Sequence, residues 1–255
     1  MMKLPRRALV RPPPDSYAHA LTRDADPRPV DLDLAREQHA AYAAALRRIG
    51  LAVTELPPDP DYPDSCFAQD PAFVLDDILV VARPGAQSRR REARALVAAL
   101  APLELPRYSV VPPATLEGGD VLVTEDKLFA GLSARTNVEA VEQLRMVFAR
   151  PVVAVPVPER YLHLLTGCTY LGNGRLLATA ECAALPELAG FERLVVPASE
   201  APAANVLALG ADVILPDGYP LAAALLARAG FNLHPVPIGE FEKRDGGVTC
   251  LSLLY

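Results

Sequence analysis

A short apolar strand, a tight polar turn and a second apolar strand recur along this chain, usually followed by a helical stretch. That repeat limits its fold more than any other feature. The strand pairs begin at Asp70, Asp120, Cys168, Asn205 and Cys250, with intervals of 50, 48, 37 and 45 residues. The first runs through Ala72–Leu75, a two-Asp turn and Ile78–Ala82, and the second through Asp120–Thr124 and Leu128–Ala130. The third spans Cys168–Leu171 and Arg175–Thr179 across Gly172-Asn173-Gly174, and the fourth spans Asn205–Leu209 and Val213–Leu215. Alternating β-branched and apolar residues flanked by Gly, Asn and Asp are the pattern of hairpins. The fifth is Val248–Leu254, completed by an N-terminal strand at Arg7–Arg11.

Helices are expected over residues 33–49, with Leu34, Ala41, Ala45 and Leu46 on one face and Gly50 capping the end. Others run from an N-cap at Ser88 to Leu100, from Thr136 with Glu139 at capping-box spacing, and from Pro220 to Gly230. Leu51–Leu56 reads as a strand. Pro12–His19 reads as a loop with little reason to be rigid. Units that cannot each bury an apolar face close into a ring, with the strand starts converging on one axis. The expectation is one α/β domain over residues 1–255 around a central polar site, and no stretch reads as an interdomain linker.

Composition narrows the function. The chain has 255 residues, 51% hydrophobic and 22% charged, with a net charge of −6. A mildly acidic surface argues against nucleic acid, because phosphate binding needs a basic face. It suits a small cationic ligand. The 26 prolines sit at segment ends and read as loop punctuation. Cys66, Cys168, Cys182 and Cys250 form no close pair, so a zinc site is not expected. No apolar run matches a secretion signal or the ~20 residues of a membrane span. A reduced, cytoplasmic protein is expected.

Several residues could carry chemistry. Cys250 follows Gly246-Gly247, a turn that can bring backbone close to a bound group. A nucleophile and an inert buried thiol are both open readings of it. Arg89 and Arg135 stand at equivalent helix starts, against the helix dipole, where a pair could clamp a carboxylate; solvated charge is the alternative, given Arg90 and Arg91. Asp64, Asp70, Glu117 and Asp120 flank hairpin entrances, where turn chemistry alone also favours Asp. His163 lies among apolar neighbours, where a histidine satisfied by backbone is the commoner outcome. His19, His39 and His234 read as surface. Cysteine, histidine and carboxylate together would supply a nucleophile, an acid–base group and an orienting group.

These segments resemble the dimethylarginine dimethylaminohydrolase family of the guanidine-modifying superfamily. The resemblance is carried by Leu116-Glu-Gly-Gly-Asp-Val-Leu122, Gly131-Leu-Ser-Ala-Arg-Thr-Asn137, Leu162-His-Leu164 and Gly247-Val-Thr-Cys250. Pro63-Asp-Ser-Cys-Phe-Ala-Gln-Asp70 and Arg83-Pro-Gly-Ala-Gln-Ser-Arg-Arg90 add to it, in register from about Ala8 to the C-terminus. It implies a five-bladed pseudosymmetric α/β propeller of strand-turn-strand-helix repeats. It also implies Cys250 as nucleophile, His163 as proton donor and Glu117 as a catalytic carboxylate. Asp64, Asp70 and Glu117 would surround the guanidinium, with Arg89 and Arg135 on the substrate carboxylate. The segment around Tyr17 resembles a substrate lid, and Arg244 would offer its backbone to the substrate amino group. Gln69 stands where animal members have an acid, and Glu117 where they have Asp.

The implied reaction converts methylated arginines to citrulline and an amine through a thiouronium on Cys250, with no metal or organic cofactor. The alternatives are a deiminase or another guanidine hydrolase, and a non-catalytic binder on the same fold. The expected partner is a small guanidino amino acid, with no nucleic acid or membrane, and a homodimer is left open.

Overall fold

The computed structural model describes residues 4–255; Met1–Lys3, the start of the expected 1–255 unit, lie outside the described residues. The chain opens with β1 (Arg7–Val10), α1 (Leu32–Arg48) and β2 (Ala52–Glu55). Next come β3 (Ala72–Leu75), β4 (Ile78–Val81), α2 (Ala93–Leu100) and β5 (Arg107–Ser109). The following unit is β6 (Val121–Val123), β7 (Leu128–Leu132), α3 (Val138–Val147) and β8 (Val152–Pro156). Then α4 (Leu164–Gly167) precedes β9 (Cys168–Gly172), β10 (Arg175–Ala178), α5 (Ala180–Ala183) and β11 (Glu192–Val195). The last hairpin is β12 (Leu207–Leu209) and β13 (Asp212–Pro216), followed by α6 (Pro220–Arg228) and β14 (Asn232–Val236). A short α7 (Gly239–Glu242) leads to β15 (Ser252–Leu254).

These strands make five three-stranded sheets with one plan: an antiparallel hairpin, a helical crossover, and a third strand parallel to the second. In the first sheet β15 pairs antiparallel with β1, Ala8 opposite Leu254, and β1 pairs parallel with β2. The chain termini therefore close one unit together, as the repeat predicts. First strands of neighbouring sheets touch, β15 with β3, β6 with β9 and β9 with β12. This is the arrangement of a five-bladed α/β propeller, made of separate sheets without a closed barrel.

The hairpins fall where the turn residues put them. Asp76 and Asp77 take left-handed backbone angles, φ 51° and 60°, as a two-residue hairpin turn requires. The repeat has a fifth part that the pattern did not predict except at β2. Strands β5, β8, β11 and β14 are three to five residues long.

Several local expectations are corrected. Asp31 caps α1 by accepting the Leu34 N–H. Its buried stripe is Ala35, His39, Tyr42 and Leu46, whereas Leu34 is exposed. His39 is thus in the core, not on the surface. Ser88 caps nothing: it lies in a one-turn 3-10 helix, Gln87–Arg89, ahead of α2. Asn137, not Thr136, caps α3, its side chain accepting the Ala140 N–H. The segment Pro12–His19 is fixed, because Tyr17 is fully buried within a 3-10 turn, Asp15–His19. Its ring packs against Phe67 and Phe241, and its hydroxyl donates to the Glu240 carbonyl. Apolar burial of an aromatic ring overrides a loop-like local sequence.

Candidate active site

Two of the strand starts, Asp70 and Cys250, meet on one pocket. A small inner pocket is lined by Asp64, Asp70, Arg89, Arg135, His163, Arg244 and Cys250 among others, with about 20 Å³ of free space. That holds about one water molecule. A wider cavity of about 600 Å³ opens beside it and shares Leu162, Asp245, Gly246 and Cys250. Cys250 therefore faces both the polar pocket and the open vestibule.

Cys250 is not in a strand. Val248–Leu251 form one 3-10 turn, and β15 begins at Ser252. The Gly247 N–H lies 3.4 Å from Sγ. Gly246 and Gly247 are required by close packing and not by free turning. A Cβ on Gly246 would lie 2.4 Å from the Phe67 ring, and one on Gly247 2.3 Å from the Asn205 amide. Asn205 holds this turn: its Oδ1 accepts the Thr249 N–H at 3.1 Å, and its Nδ2 donates to Thr249 Oγ1 and to the Leu165 carbonyl. Burial, then the nearby Asp70 charge, pushes the Cys250 thiol up to about 12.

His163 sits immediately before α4, 3% exposed, with Nε2 2.7 Å from Glu117 Oε2. Its partner is a carboxylate and not backbone. Gly119 lies flat against the ring, since a Cβ there would stand 2.6 Å from Nδ1. Burial opposes a charge on the imidazole. The carboxylates of Asp70, Asp120 and Glu117 outweigh it and raise its pKa to about 9. At Glu117 burial likewise opposes charge, but the His163 hydrogen bond and the charges of His163, Arg89 and Arg135 hold the carboxyl down to about 2. The two form an ion pair at neutral pH.

The arginines differ. Arg89 is 3% exposed and enclosed by acceptors. Its Nη1 donates to Asp70 Oδ2 at 2.7 Å, and its Nε and Nη2 donate to Glu92. Nη2 also reaches the carbonyls of Asp64 and Phe67. A guanidinium has five N–H groups, so these contacts leave one on Nη1. Arg135 lies in the turn before α3 and donates from Nη1 to both Glu117 oxygens at 3.1 and 3.3 Å.

The remaining residues surround this centre. Asp64 accepts the Leu21 N–H at 3.1 Å, and burial raises its pKa. Leu21, rather than the buried Tyr17, brings the N-terminal segment to the pocket wall. Arg244 is buried, and its guanidinium donates to the carbonyls of Ala18, Arg28 and Lys243. Gln69 lines neither cavity. Its N–H donates to the Cys250 carbonyl, and its Oε1 has no hydrogen-bond partner. Asp70, Glu117 and His163 bring ligand atoms within 4.8 Å of one another, the one such grouping among the described residues. Arg89 and Arg135 already pair with two of these groups, Asp70 and Glu117.

Sequence reasoning missed Glu92, Leu21 and the support given by Asn205. Glu92 stands three residues after Arg89, a spacing that could have revealed the pair. Leu21 carries no such signal.

Chemically, the centre has a reachable thiol, a charged imidazole beside a carboxylate, and further carboxylates suited to a cation. A family model described as N,N dimethylarginine dimethylhydrolase, eukaryotic, matches residues 16–181. An N(G),N(G)-dimethylarginine dimethylaminohydrolase of Pseudomonas aeruginosa is 36% identical over 98% of this chain and 99% of its own. One from Streptomyces coelicolor is 39% identical over 97% and 96%. The solved Pseudomonas aeruginosa enzyme, a cysteine-to-serine mutant complexed with citrulline, superposes with a TM-score of 0.93 at 34% identity. It covers 99% of this chain and 100% of that one.

Proposed function

We propose that this chain, which belongs to the dimethylarginine dimethylaminohydrolase family, hydrolyses Nω-methylated arginines to citrulline and a methylated amine, with Cys250 as the nucleophile. The observation that carries this reading is the meeting of the Cys250 thiol with His163, itself paired to Glu117 behind it, on one carboxylate-lined pocket. The dimethylarginine dimethylaminohydrolases that this chain resembles support the choice of substrate.

The substrate guanidinium enters the pocket with its positive charge among Asp64, Asp70 and Glu117. Its carbon becomes electrophilic when the cation is held and oriented. The resting thiol is neutral, and the incoming cation favours its thiolate by a nearby opposite charge, the thiol proton leaving to solvent through the open vestibule. The thiolate attacks the guanidinium carbon to give a tetrahedral adduct. His163 then protonates the leaving amine, and the carbon–nitrogen bond breaks. Neutral His163 then takes a proton from a water that adds to the S-alkylthiouronium carbon, the carbon–sulfur bond breaks with its electron pair returning to Cys250, and citrulline departs. No step requires a metal or an organic cofactor.

Arg135 and the remaining Nη1 N–H of Arg89 receive the substrate carboxylate, and the backbone near Arg244 receives its amino group. Because Arg135 rests on Glu117, it must turn outward as the guanidinium takes its place. The segment carrying Tyr17 and Leu21 closes the site from the N-terminal side. Residues 1–255 act as one catalytic unit in the cytoplasm. No helix among the described residues is long and apolar enough to cross a membrane.

The test is citrulline release from dimethylarginine, monomethylarginine, arginine and agmatine in parallel. Turnover of the methylated pair supports this reading. Preferential turnover of arginine would instead make the protein a deiminase, and no turnover of any would make it a binder.

A further inference from the structure

Asp120 takes no part in the chemistry above, yet it is fully buried and no arginine or lysine pairs with it among the described residues. A buried carboxylate needs strong compensation. Here two hydrogen bonds supply it. Oδ1 accepts the Leu164 N–H at 2.9 Å and Oδ2 accepts the Ser133 hydroxyl at 2.7 Å, and the nearby Thr136 hydroxyl also favours the charged carboxylate.

Each donor continues to a site residue. Leu164 follows His163 directly in the chain. The Ser133 oxygen accepts the N–H groups of Arg135 and Thr136, at 3.0 and 3.2 Å. The Thr136 oxygen accepts the Glu117 N–H at 3.1 Å. Both hydroxyls therefore receive backbone protons from the site; Ser133 donates its own to Asp120, and Thr136 stands near it. An acceptor-only side chain suits this surrounding set of donors. Asn205 offers a contrast from the start of another sheet. It meets an N–H on one side and a carbonyl on the other, and a neutral amide suffices there.

We propose that Asp120 is a positioning residue that holds His163, Glu117 and Arg135 in register, so that the proton donor, its carboxylate and the substrate clamp form one preorganised unit. The inference rests on the roles proposed above. Separate arms lead to separate steps: Ser133 to substrate binding through Arg135, Thr136 to proton delivery through Glu117.

The test combines steady-state kinetics with an NMR titration of the histidine rings, of which the chain has 4. Asp120→Asn keeps the shape but offers one acceptor oxygen where the Leu164 N–H and the Ser133 hydroxyl converge. It also removes one of the three carboxylates, with Asp70 and Glu117, that favour the charged His163 ring. The expected result is a His163 titration moved to lower pH and a kcat reduced about tenfold or more. Ser133→Ala is expected to raise KM several-fold with kcat within about twofold of wild type, and Thr136→Val to lower kcat more than it raises KM. Melting curves report whether each variant is folded; should Asp120→Asn fail to fold, the other two decide. The proposal is overturned if folded Asp120→Asn keeps the wild-type His163 titration and kcat, or if Ser133→Ala and Thr136→Val change kcat and KM in the same proportion. Absence of methylarginine turnover in wild type would reject the proposed reaction, while the His163 titration would still decide the role of Asp120.

Discussion

His163 and Cys250 line the same pocket and are buried to a similar degree, 3% and 9% exposed, yet one is held charged and the other neutral. The His163 side is crowded with carboxylates, which overcome burial and keep the ring protonated to about pH 9. The Cys250 side offers the thiol one backbone N–H, from Gly247, and an Asp70 charge that opposes ionisation. In the proposed reaction the proton donor is thus ready before substrate arrives, whereas the nucleophile needs the substrate's own charge. A site built this way keeps its thiol quiet toward other electrophiles, because the reactive form of cysteine is the thiolate.

The largest effect should come from removing the nucleophile. Cys250→Ser is expected to lower kcat for dimethylarginine by at least ~10³-fold with the melting temperature nearly unchanged. Near-normal turnover in a citrulline assay would end the cysteine mechanism. Glu117→Gln comes next. It removes the carboxylate beside His163, so kcat should fall about 10²-fold. The basic limb should also move. Under the proposed mechanism wild-type kcat needs protonated His163 and should fall as pH rises through about 9; the variant should lose activity at lower pH, and an unmoved limb would detach Glu117 from proton delivery.

The two arginines sharpen the contrast between structural and substrate-facing charge. Arg89→Ala strands Asp70 and Glu92 as buried carboxylates, and breaking such a pair costs about 3–5 kcal/mol of stability. Thermal unfolding should show it as a large drop in Tm. Arg135→Ala should leave Tm close to wild type and raise KM for dimethylarginine about tenfold, a charge-assisted hydrogen bond being worth ~1.5–3 kcal/mol. Agmatine, lacking the carboxylate, should be poor with either enzyme. Equal turnover of agmatine and dimethylarginine by wild type would remove the clamp from the account.

Gln69→Glu should act least, a few-fold change in KM at low salt. Gln69 lines neither cavity, so its new charge would reach substrate only across intervening groups. An unchanged KM from pH 6 to 9 would make it a structural loop residue.

The same contrast explains how much could be read in advance. The hairpins were legible because two- and three-residue turns leave a strong local mark. The third strands were not: Arg107–Ser109 and Val152–Pro156 follow prolines and are too short to show a period. Cys250, His163 and Glu117 could be picked out by residue type, motif and resemblance, but their geometry could not. Glu117 and His163 are 46 residues apart, and only the ring of sheets makes them neighbours. Arg89 misled through its company, since a run of three arginines looks solvated whereas Asp70 and Glu92 draw the first inward. Tyr17 misled through its prolines, its burial being set by Phe67 and Phe241 from distant segments.

The most direct test of the account is the mass of the enzyme during turnover. Wild-type protein is mixed with excess dimethylarginine, quenched in acid within one turnover, and its peptides are analysed by mass spectrometry. The peptide containing Cys250 should gain the mass of dimethylarginine less dimethylamine, the thiouronium, with Cys66, Cys168 and Cys182 unmodified. Citrulline formed at full rate with no such adduct on Cys250 at any quench time, and with Cys250→Ser still active, would contradict it.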